Sequence, residues 1–152
     1  LGIPTAEAEA FIDAYFSRYT GVNRYIAETI SEAYKKGYVT TLLNRRRYLP
    51  ELKSRNGNVR KFGERTAVNA PVQGTAADLI KIAMLRISSR LKEEKLDAYM
   101  ILQIHDELLF ETSKADTEKL RAIVKEEMEG AIELAVPLEV EVGTGSSWFE
   151  AH

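Results

Sequence analysis

The sequence predicts an α+β fold in which helices pack on a small antiparallel sheet that carries a central β-hairpin. Apolar residues recur at helical spacing over several long segments, which favours amphipathic helices. Two nearly continuous apolar runs flank a charged tip at residues 105–107, and residues 138–142 alternate between apolar and polar, as in a half-buried strand. Helices beside an antiparallel sheet let both kinds of element bury their apolar faces.

Five segments have the apolar spacing of helices. They cover residues 5–19, 22–36, 59–69, 72–94 and 114–135. Pro71 is expected to separate the third segment from the fourth, because proline has no backbone N–H and its ring clashes with the preceding turn. No stretch approaches the ~20 consecutive apolar residues of a transmembrane helix, so none is predicted.

Two places have the composition of β-hairpins. Residues 38–42 are rich in β-branched and aromatic side chains, and residues 48–49 are expected to pair back on them through a turn at Asn44. Asparagine suits that turn because it tolerates a left-handed backbone. The apolar runs 99–104 and 108–110 form the predicted central hairpin.

Cysteine is absent from the 152 residues, which excludes disulfides, thiolate metal sites and cysteine nucleophiles and fits a reducing compartment. The two histidines, His105 and His152, lack the spacing of a zinc site. The sequence starts at Leu1 and its first methionine is Met84, so we expect a piece of a longer protein.

Positive charge is concentrated in one segment, although the net charge of the chain is −2. Residues 35–65 contain ten cationic side chains and only two anionic ones, Glu51 and Glu64. The net charge of this segment is therefore +8, and that of the rest of the chain is −10. We call these cations the basic strip: Lys35, Lys36, Arg45, Arg46, Arg47, Lys53, Arg55, Arg60, Lys61 and Arg65. Such a strip can steer a polyanion toward one face, and a solvated charged loop explains the same composition.

The hairpin tip, His105-Asp106-Glu107, is the clearest candidate for chemistry. Both flanking runs are apolar, so the tip is expected near a core, where an ionised carboxylate is costly unless it is paired or binds a metal. Carboxylate oxygens are ligands that Mg²⁺ prefers, and phosphoryl-transfer enzymes use such ions. The tripeptide alone fits a wet surface turn better than a metal site.

Arg65, Asn69 and Gln73 are hydrogen-bond donors spaced four residues apart, and we call them the donor row. Helical geometry places them on one face unless Pro71 breaks the row. The DNA minor groove offers acceptors that barely distinguish A·T from T·A, so such a row would hold a duplex of any sequence. A polar helix face with Asn69 as a cap is the competing interpretation. The small residues 74–78 that follow allow another backbone to approach closely.

Several segments of the chain resemble the family A DNA polymerases, the bacterial DNA polymerase I family. They are 65–78 (RTAVNAPVQGTAAD), 103–108 (QIHDEL), 37–42 (GYVTTL), 45–50 (RRRYLP) and 136–143 (VPLEVEVG), the last with Trp148 close behind. The segments occur in order along essentially the whole chain, which makes the combination specific. Where the family usually has glycine before the arginine run, this chain has Asn44.

The resemblance implies roles for the candidate residues. Asp106 would be one of two aspartates that hold two catalytic magnesium ions, and Glu107 would support the metal site or the primer end. His105 would lie near the primer terminus, and the donor row would contact primer–template DNA in the minor groove. The arginines at 45–47 would lie near the junction of fingers and palm.

The resemblance also implies an organisation. Residues 1–64 would be the end of the fingers with the junction helices and a basic hairpin, and residues 65–152 would be the C-terminal palm segment with the catalytic hairpin. The first aspartate motif and the nucleotide-holding fingers helix would lie upstream of Leu1. The expected partners are primer–template DNA, deoxynucleoside triphosphates and the missing upstream polymerase segment, without a membrane, and the expected location is the cytoplasm, at the bacterial nucleoid.

The leading interpretation is template-directed DNA synthesis, in which a primer 3′ hydroxyl attacks a nucleotide α-phosphate. This chain would be one part of the enzyme and would be inactive alone. A duplex DNA-binding module without chemistry is the alternative, and a steep salt dependence of binding would be typical of it. A structural domain that has lost the family chemistry is a third class, against which the retained hairpin tip argues.

Overall fold

The computed structural model describes residue 2 and residues 4–151, and its elements confirm the predicted α+β class. In chain order they are α1 (Thr5–Arg18), α2 (Thr20–Lys36), β1 (Tyr38–Thr40), β2 (Arg46–Tyr48), a 3₁₀ turn (Pro50–Lys53), α3 (Gly57–Glu93), β3 (Ala98–Ile104), β4 (Glu107–Thr112), α4 (Thr117–Glu129) and α5 (Trp148–Ala151). The chain forms two compact units, one up to Gly74 and one from Thr75. No described helix combines the length and the apolar character needed to span a membrane.

The first unit begins with the two predicted helices. α2 ends at Gly37, whose φ of 76° lets the chain leave the helix in a left-handed conformation. None of the α1 residues, all of which the structure describes, is buried, and Phe11 is 75% exposed. The apolar face of α1 is therefore uncovered in the described part of the chain.

β1 and β2 form the predicted first hairpin. They pair antiparallel, with Tyr38 opposite Tyr48. Asn44 turns the chain with a φ of 63°, which confirms that asparagine serves in this turn. The hairpin contributes to the apolar core of the first unit, formed by Ala33, Val39, Leu49, Leu52 and Ala67.

α3 runs without interruption through Pro71, so the predicted break at this residue is wrong. An interior proline costs a helix about 3 kcal/mol or more, because it removes one hydrogen bond and its ring presses on the preceding turn. Tertiary packing outweighs that penalty here, since Ala67, one turn before the proline, is fully buried in the core of the first unit.

The second unit has a core between the C-terminal half of α3, α4 and one face of the β3–β4 hairpin. Its buried apolar side chains are Ala83, Ile87, Leu91, Ala98, Leu120, Val124 and Ala131. Ile87 and Leu91, in the C-terminal half of α3, face this core, whereas Ala76, near the middle of the helix, is exposed. The second face of the hairpin is less covered, and Tyr99 on it is 64% exposed.

A cluster of charges links α3 to α4. The Arg90 guanidinium donates to three carboxylates, at 2.6, 3.1 and 3.1 Å, on Glu126, Glu127 and Glu94. These hydrogen bonds raise the pKa of Arg90 above its ordinary value. Lys119 lies 3.0 Å from the second oxygen of Glu94, so charge pairs as well as apolar contacts hold α4 against α3.

α4 is shorter than the helix predicted over 114–135. Ser113 and Asp116 form a hydrogen-bonded turn ahead of it, in which the Asp116 N–H donates to the Ser113 hydroxyl oxygen at 3.2 Å. That turn satisfies the backbone before the first helical residue, and Gly130 follows the last one. Ser113 and Asp116 therefore bond to each other ahead of the helix, and Asp116, its N-cap residue, makes no side-chain capping hydrogen bond.

The strand predicted over 138–142 is not formed. Its apolar side chains are half-buried and its glutamates are exposed, as the alternation predicts. No strand among the described residues pairs with it, and the Val140 N–H donates instead to the Glu129 carboxylate at 3.0 Å. Trp148, which follows this segment in the sequence, is 48% exposed.

Candidate functional site

The hairpin tip is a two-residue turn between β3 and β4. Ile104 pairs with Glu107, which leaves His105 and Asp106 as the turn residues. His105 has a φ of 53°, a left-handed conformation that costs a residue with a Cβ roughly 1–2 kcal/mol. The Gln103 side chain donates to the His105 carbonyl at 3.1 Å and holds this strained turn.

His105, Asp106 and Glu107 are all exposed, so the expectation of a tip near a core is wrong. The reason is that the flanking runs are apolar on both faces of the hairpin, whereas only one face packs on the helices. The Asp106 carboxylate has no hydrogen bond or ion pair with any residue that the structure describes. It is therefore accessible to a ligand without displacing a partner.

The oxygen chemistry of the tip suits Mg²⁺, which prefers carboxylates and keeps several water molecules. No group of three or more histidine, aspartate or glutamate side chains, however, forms a metal set within residue 2 and residues 4–151. His152, the second histidine of the sequence, lies outside the described residues. The described residues therefore do not complete a magnesium site by themselves.

The donor row stays on a single helix because α3 is not interrupted at Pro71. Arg65, Asn69 and Gln73 are all exposed, and none of these side chains bonds to a residue within the described ranges. With a rise of 1.5 Å per residue, the row extends over roughly 12 Å of helix. It therefore presents a guanidinium and two amides to a ligand along that length.

Part of the basic strip is engaged by the protein itself. Lys35 and Lys36 pair with Glu32 at 3.3 and 2.8 Å, and Arg60 donates to the Ser54 carbonyl at 3.0 Å. Other cations of the strip are exposed and have no ion pair within residues 4–151, namely Arg47, Lys53, Arg55, Lys61 and Arg65. These five cations lie between Arg47 and Arg65.

Side chains from two other elements contact the backbone of α3 around Pro71. The Tyr25 hydroxyl, on α2, donates to the Val68 carbonyl at 3.2 Å. Arg45, in the turn between β1 and β2, donates from Nη2 to the Gly74 carbonyl at 2.9 Å. Sequence reasoning did not find Tyr25 or this contact of Arg45, because no local pattern in the sequence connects either residue to α3.

α3 and the β1–β2 turn approach each other closely at Gly74. A Cβ added at Gly74 would lie 2.6 Å from Cγ2 of Thr41 and 3.4 Å from Nη2 of Arg45. The run of small residues at 74–78 predicted close approach of another backbone. The neighbour at Gly74 is instead the buried side chain of Thr41.

Comparisons with known proteins agree over nearly the whole chain. The model of DNA polymerase family A matches residues 1–150. DNA polymerase I of Bacillus subtilis (strain 168) is 53% identical over 99% of this chain, and that of Mycobacterium tuberculosis (strain ATCC 25618 / H37Rv) is 51% identical over 97%. The chain spans 17% and 16% of the length of these relatives.

A solved structure shows the same fold. The POL domain of Pol1 from M. smegmatis, in complex with DNA primer-template and dNTP, has a TM-score of 0.95 and 48% identity to this chain. The match covers 98% of this chain and 26% of that domain chain. The resemblance predicted from the short segments is therefore confirmed. The chain belongs to DNA polymerase family A.

Proposed function

We propose that this chain is part of the catalytic core of a DNA-directed DNA polymerase. In the proposed reaction, the primer 3′ oxygen forms a bond to the α-phosphorus of a deoxynucleoside triphosphate and loses its proton. The bond from the α-phosphorus to the bridging oxygen breaks, and pyrophosphate leaves. The observation that carries the proposal is the exposed Asp106 carboxylate, held on a strained turn in a chain of family A.

Asp106 would contribute one carboxylate ligand to two Mg²⁺ ions, which, when bound, stabilise charge on the transferred phosphate and activate the attacking oxygen. The further ligands would come from residues outside this chain, because the described residues hold no set of three. Glu107 would support the metal site or the primer end, and His105 would lie near the primer terminus. Their exposure at one hairpin tip supports these roles.

The donor row would hold primer–template DNA through minor-groove acceptors that every base pair provides. A row of roughly 12 Å reaches across about three to four base pairs at 3.4 Å each. Its three side chains are exposed and have no hydrogen bonds to the described residues, so binding DNA would break none. A polymerase needs such sequence-neutral contacts, since it must copy any template.

The ligands named for the M. smegmatis structure, DNA primer-template and dNTP, are the partners we propose for the polymerase to which this chain contributes. Residues 1–64 would be the end of the fingers and residues 65–152 the C-terminal palm segment. The division into compact units falls after Gly74, so the donor row lies in the same compact unit as the basic strip.

A chimaera tests the proposed chemistry. Residues 1–150 of this chain would replace the homologous segment of the B. subtilis enzyme, and primer extension with Mg²⁺ would be measured. Asp106→Ala should lower kcat at least about a hundredfold, which corresponds to ~3 kcal/mol of transition-state stabilisation. Asp97→Ala, which removes an exposed carboxylate at the opposite end of the hairpin, is the matched control and should act like the unmodified chimaera. An Asp106→Ala chimaera with full activity would show that the metal assignment is wrong.

The purified 152-residue chain should not extend a primer by itself, because its described residues do not complete a metal site. Incubation with primer–template, the four deoxynucleoside triphosphates and Mg²⁺ would be followed on a sequencing gel. Extension that persists after removal of contaminating polymerase, and that Asp106→Ala abolishes, would contradict this expectation.

Duplex DNA binding without chemistry is the second candidate function. The exposed cations of the basic strip, together with the donor row in the same compact unit, favour it. The logarithm of the association constant for duplex DNA should then fall linearly with the logarithm of the salt concentration, with a slope of about −0.9 for each phosphate contacted. An inactive chimaera together with strong, salt-dependent binding would favour this candidate over the polymerase core.

A further inference from the structure

The donor row lies on the weakest turn of α3. Pro71 cannot donate to the Ala67 carbonyl, and Gly74 adds backbone freedom in the helix interior. Asn69 and Gln73 lie on either side of the proline. A turn of this composition bends or frays unless other parts of the protein hold it.

Two side chains hold the backbone on either side of Pro71. Tyr25 bonds the Val68 carbonyl, three residues before the proline, at 3.2 Å, and Arg45 bonds the Gly74 carbonyl, three residues after it, at 2.9 Å. Both distances lie within or at the limit of ordinary hydrogen bonds. The two donors come from different elements, α2 and the β1–β2 turn, so they fix the helix from separate points of the same compact unit.

We propose that Tyr25 and Arg45 are positioning residues for the donor row. They fix the course of α3 between Val68 and Gly74, and thereby keep the two amides of the row in line with the Arg65 guanidinium. This inference rests on the proposed binding of duplex DNA by the donor row. Because the row would read no sequence, misalignment should weaken binding to all duplexes alike.

Matched variants separate positioning from loss of charge. Tyr25→Phe removes only the hydroxyl, and its control is Tyr19→Phe, whose hydroxyl has no hydrogen bond to a described residue. Arg45→Met removes the donor and one positive charge. Its control is Arg47→Met, which removes the same charge two residues away, from an exposed arginine without such a contact.

Two measurements on the 152-residue chain test the proposal. Hydrogen–deuterium exchange should accelerate at residues 68–78 by about fivefold in Tyr25→Phe and Arg45→Met, the change expected from one lost hydrogen bond. Fluorescence anisotropy with two duplexes of unrelated sequence should give an equal loss of affinity for both, about three- to tenfold relative to the controls. The salt slope of Tyr25→Phe should stay unchanged, because no charge is removed.

Faster exchange together with weaker duplex binding would support the proposal. The proposal would be overturned if Tyr25→Phe and Arg45→Met exchanged no faster than their controls. It would also be overturned if these two variants exchanged faster but bound DNA as tightly as the controls, while Asn69→Ala lowered the affinity. If Asn69→Ala also leaves affinity unchanged, the proposed DNA contact of the donor row has failed, and with it the positioning role for DNA. The exchange data then report separately whether the two side chains hold the turn. Tyr25→Phe decides even if Arg45→Met fails to fold, since it deletes a single oxygen.

Discussion

Gly74→Ala tests the packing of the first unit where α3 lies against Thr41. Alanine favours a helix interior over glycine by about 1 kcal/mol, so a helix without neighbours would be stabilised. In this chain, the new Cβ would lie 2.6 Å from Cγ2 of Thr41. Carbon atoms in contact are separated by about 3.5–4.0 Å, so either the Thr41 side chain or the helix must move by about 1 Å.

Neither movement is free of cost. Thr41 is buried, and its Oγ1 accepts the backbone N–H of Arg45 at 3.2 Å, so rotating the side chain gives up a hydrogen bond of about 1 kcal/mol. Displacing the helix instead is overpacking, which costs about 1–3 kcal/mol. When the gain in helix propensity is subtracted from the middle of the overpacking range, we expect a net destabilisation of about 1 kcal/mol, or roughly 2–4 °C in Tm.

The assay is urea unfolding followed by far-UV circular dichroism, in which the midpoint should fall at unchanged m. Thr41→Ser is the companion variant, because it removes the methyl group and keeps the hydroxyl that accepts from Arg45. The double variant with Gly74→Ala should recover most of the loss, which gives a coupling energy of about 1 kcal/mol or more. A neutral or stabilising Gly74→Ala, or effects that simply add in the double variant, would refute this packing.

Three further outcomes are expected in the second unit. His105→Gly should be more stable than His105→Ala by about 1 kcal/mol, because glycine adopts a φ of 53° without strain, and equal unfolding midpoints would contradict this. Arg90→Met should lower Tm more than Lys125→Met, because Lys125 makes a single exposed ion pair at 3.8 Å. The difference in Tm should become smaller at 1 M salt, where charges are screened over roughly 3 Å. Equal Tm values for the two variants at low salt would show that the Arg90 cluster does not stabilise the fold. Lys119 and Arg90 hold the pKa of Glu94 below its ordinary value. The Glu94 carboxylate therefore stabilises the fold fully above its pKa in the unfolded chain, and this contribution is lost as the pH falls through its lowered pKa in the folded chain. Acidification below ~pH 4 should reduce the stability of wild type more than that of Glu94→Gln. Parallel acid unfolding curves would show that Glu94 contributes nothing.

Features decided by a single residue's backbone preference were predictable from the sequence. Gly37 ends α2 in a left-handed conformation, and Asn44 turns the first hairpin with positive φ. The charged tip between two apolar runs likewise predicted the β3–β4 hairpin, and Ile104 pairs with Glu107 across it. In each case the signal is local, so distant neighbours did not need to be known.

Features decided by neighbours were not predictable in the same way. The alternation over 138–142 correctly predicted which side chains are half-buried, but a strand also needs a partner. The residue types at the candidate site, Asp106 and the donor row, could be taken from the motifs. The contact of Tyr25 with the Val68 carbonyl joins residues 43 positions apart, and no local pattern connects them.

α3 departs from helix composition where the donor row lies, and Pro71→Ala tests why. Alanine restores the missing N–H, so the variant should be more stable by about 2 kcal/mol, which is the helix penalty of proline less the effect of proline on the unfolded chain. Tyr25→Phe should then cost less than in wild type, because a regular turn needs less external support. Proline commonly kinks a helix, so we expect Pro71→Ala to change the course of α3 at Asn69 and Gln73 and to lower duplex affinity. A variant that is more stable and binds DNA as tightly as wild type would show that the proline does not serve the donor row.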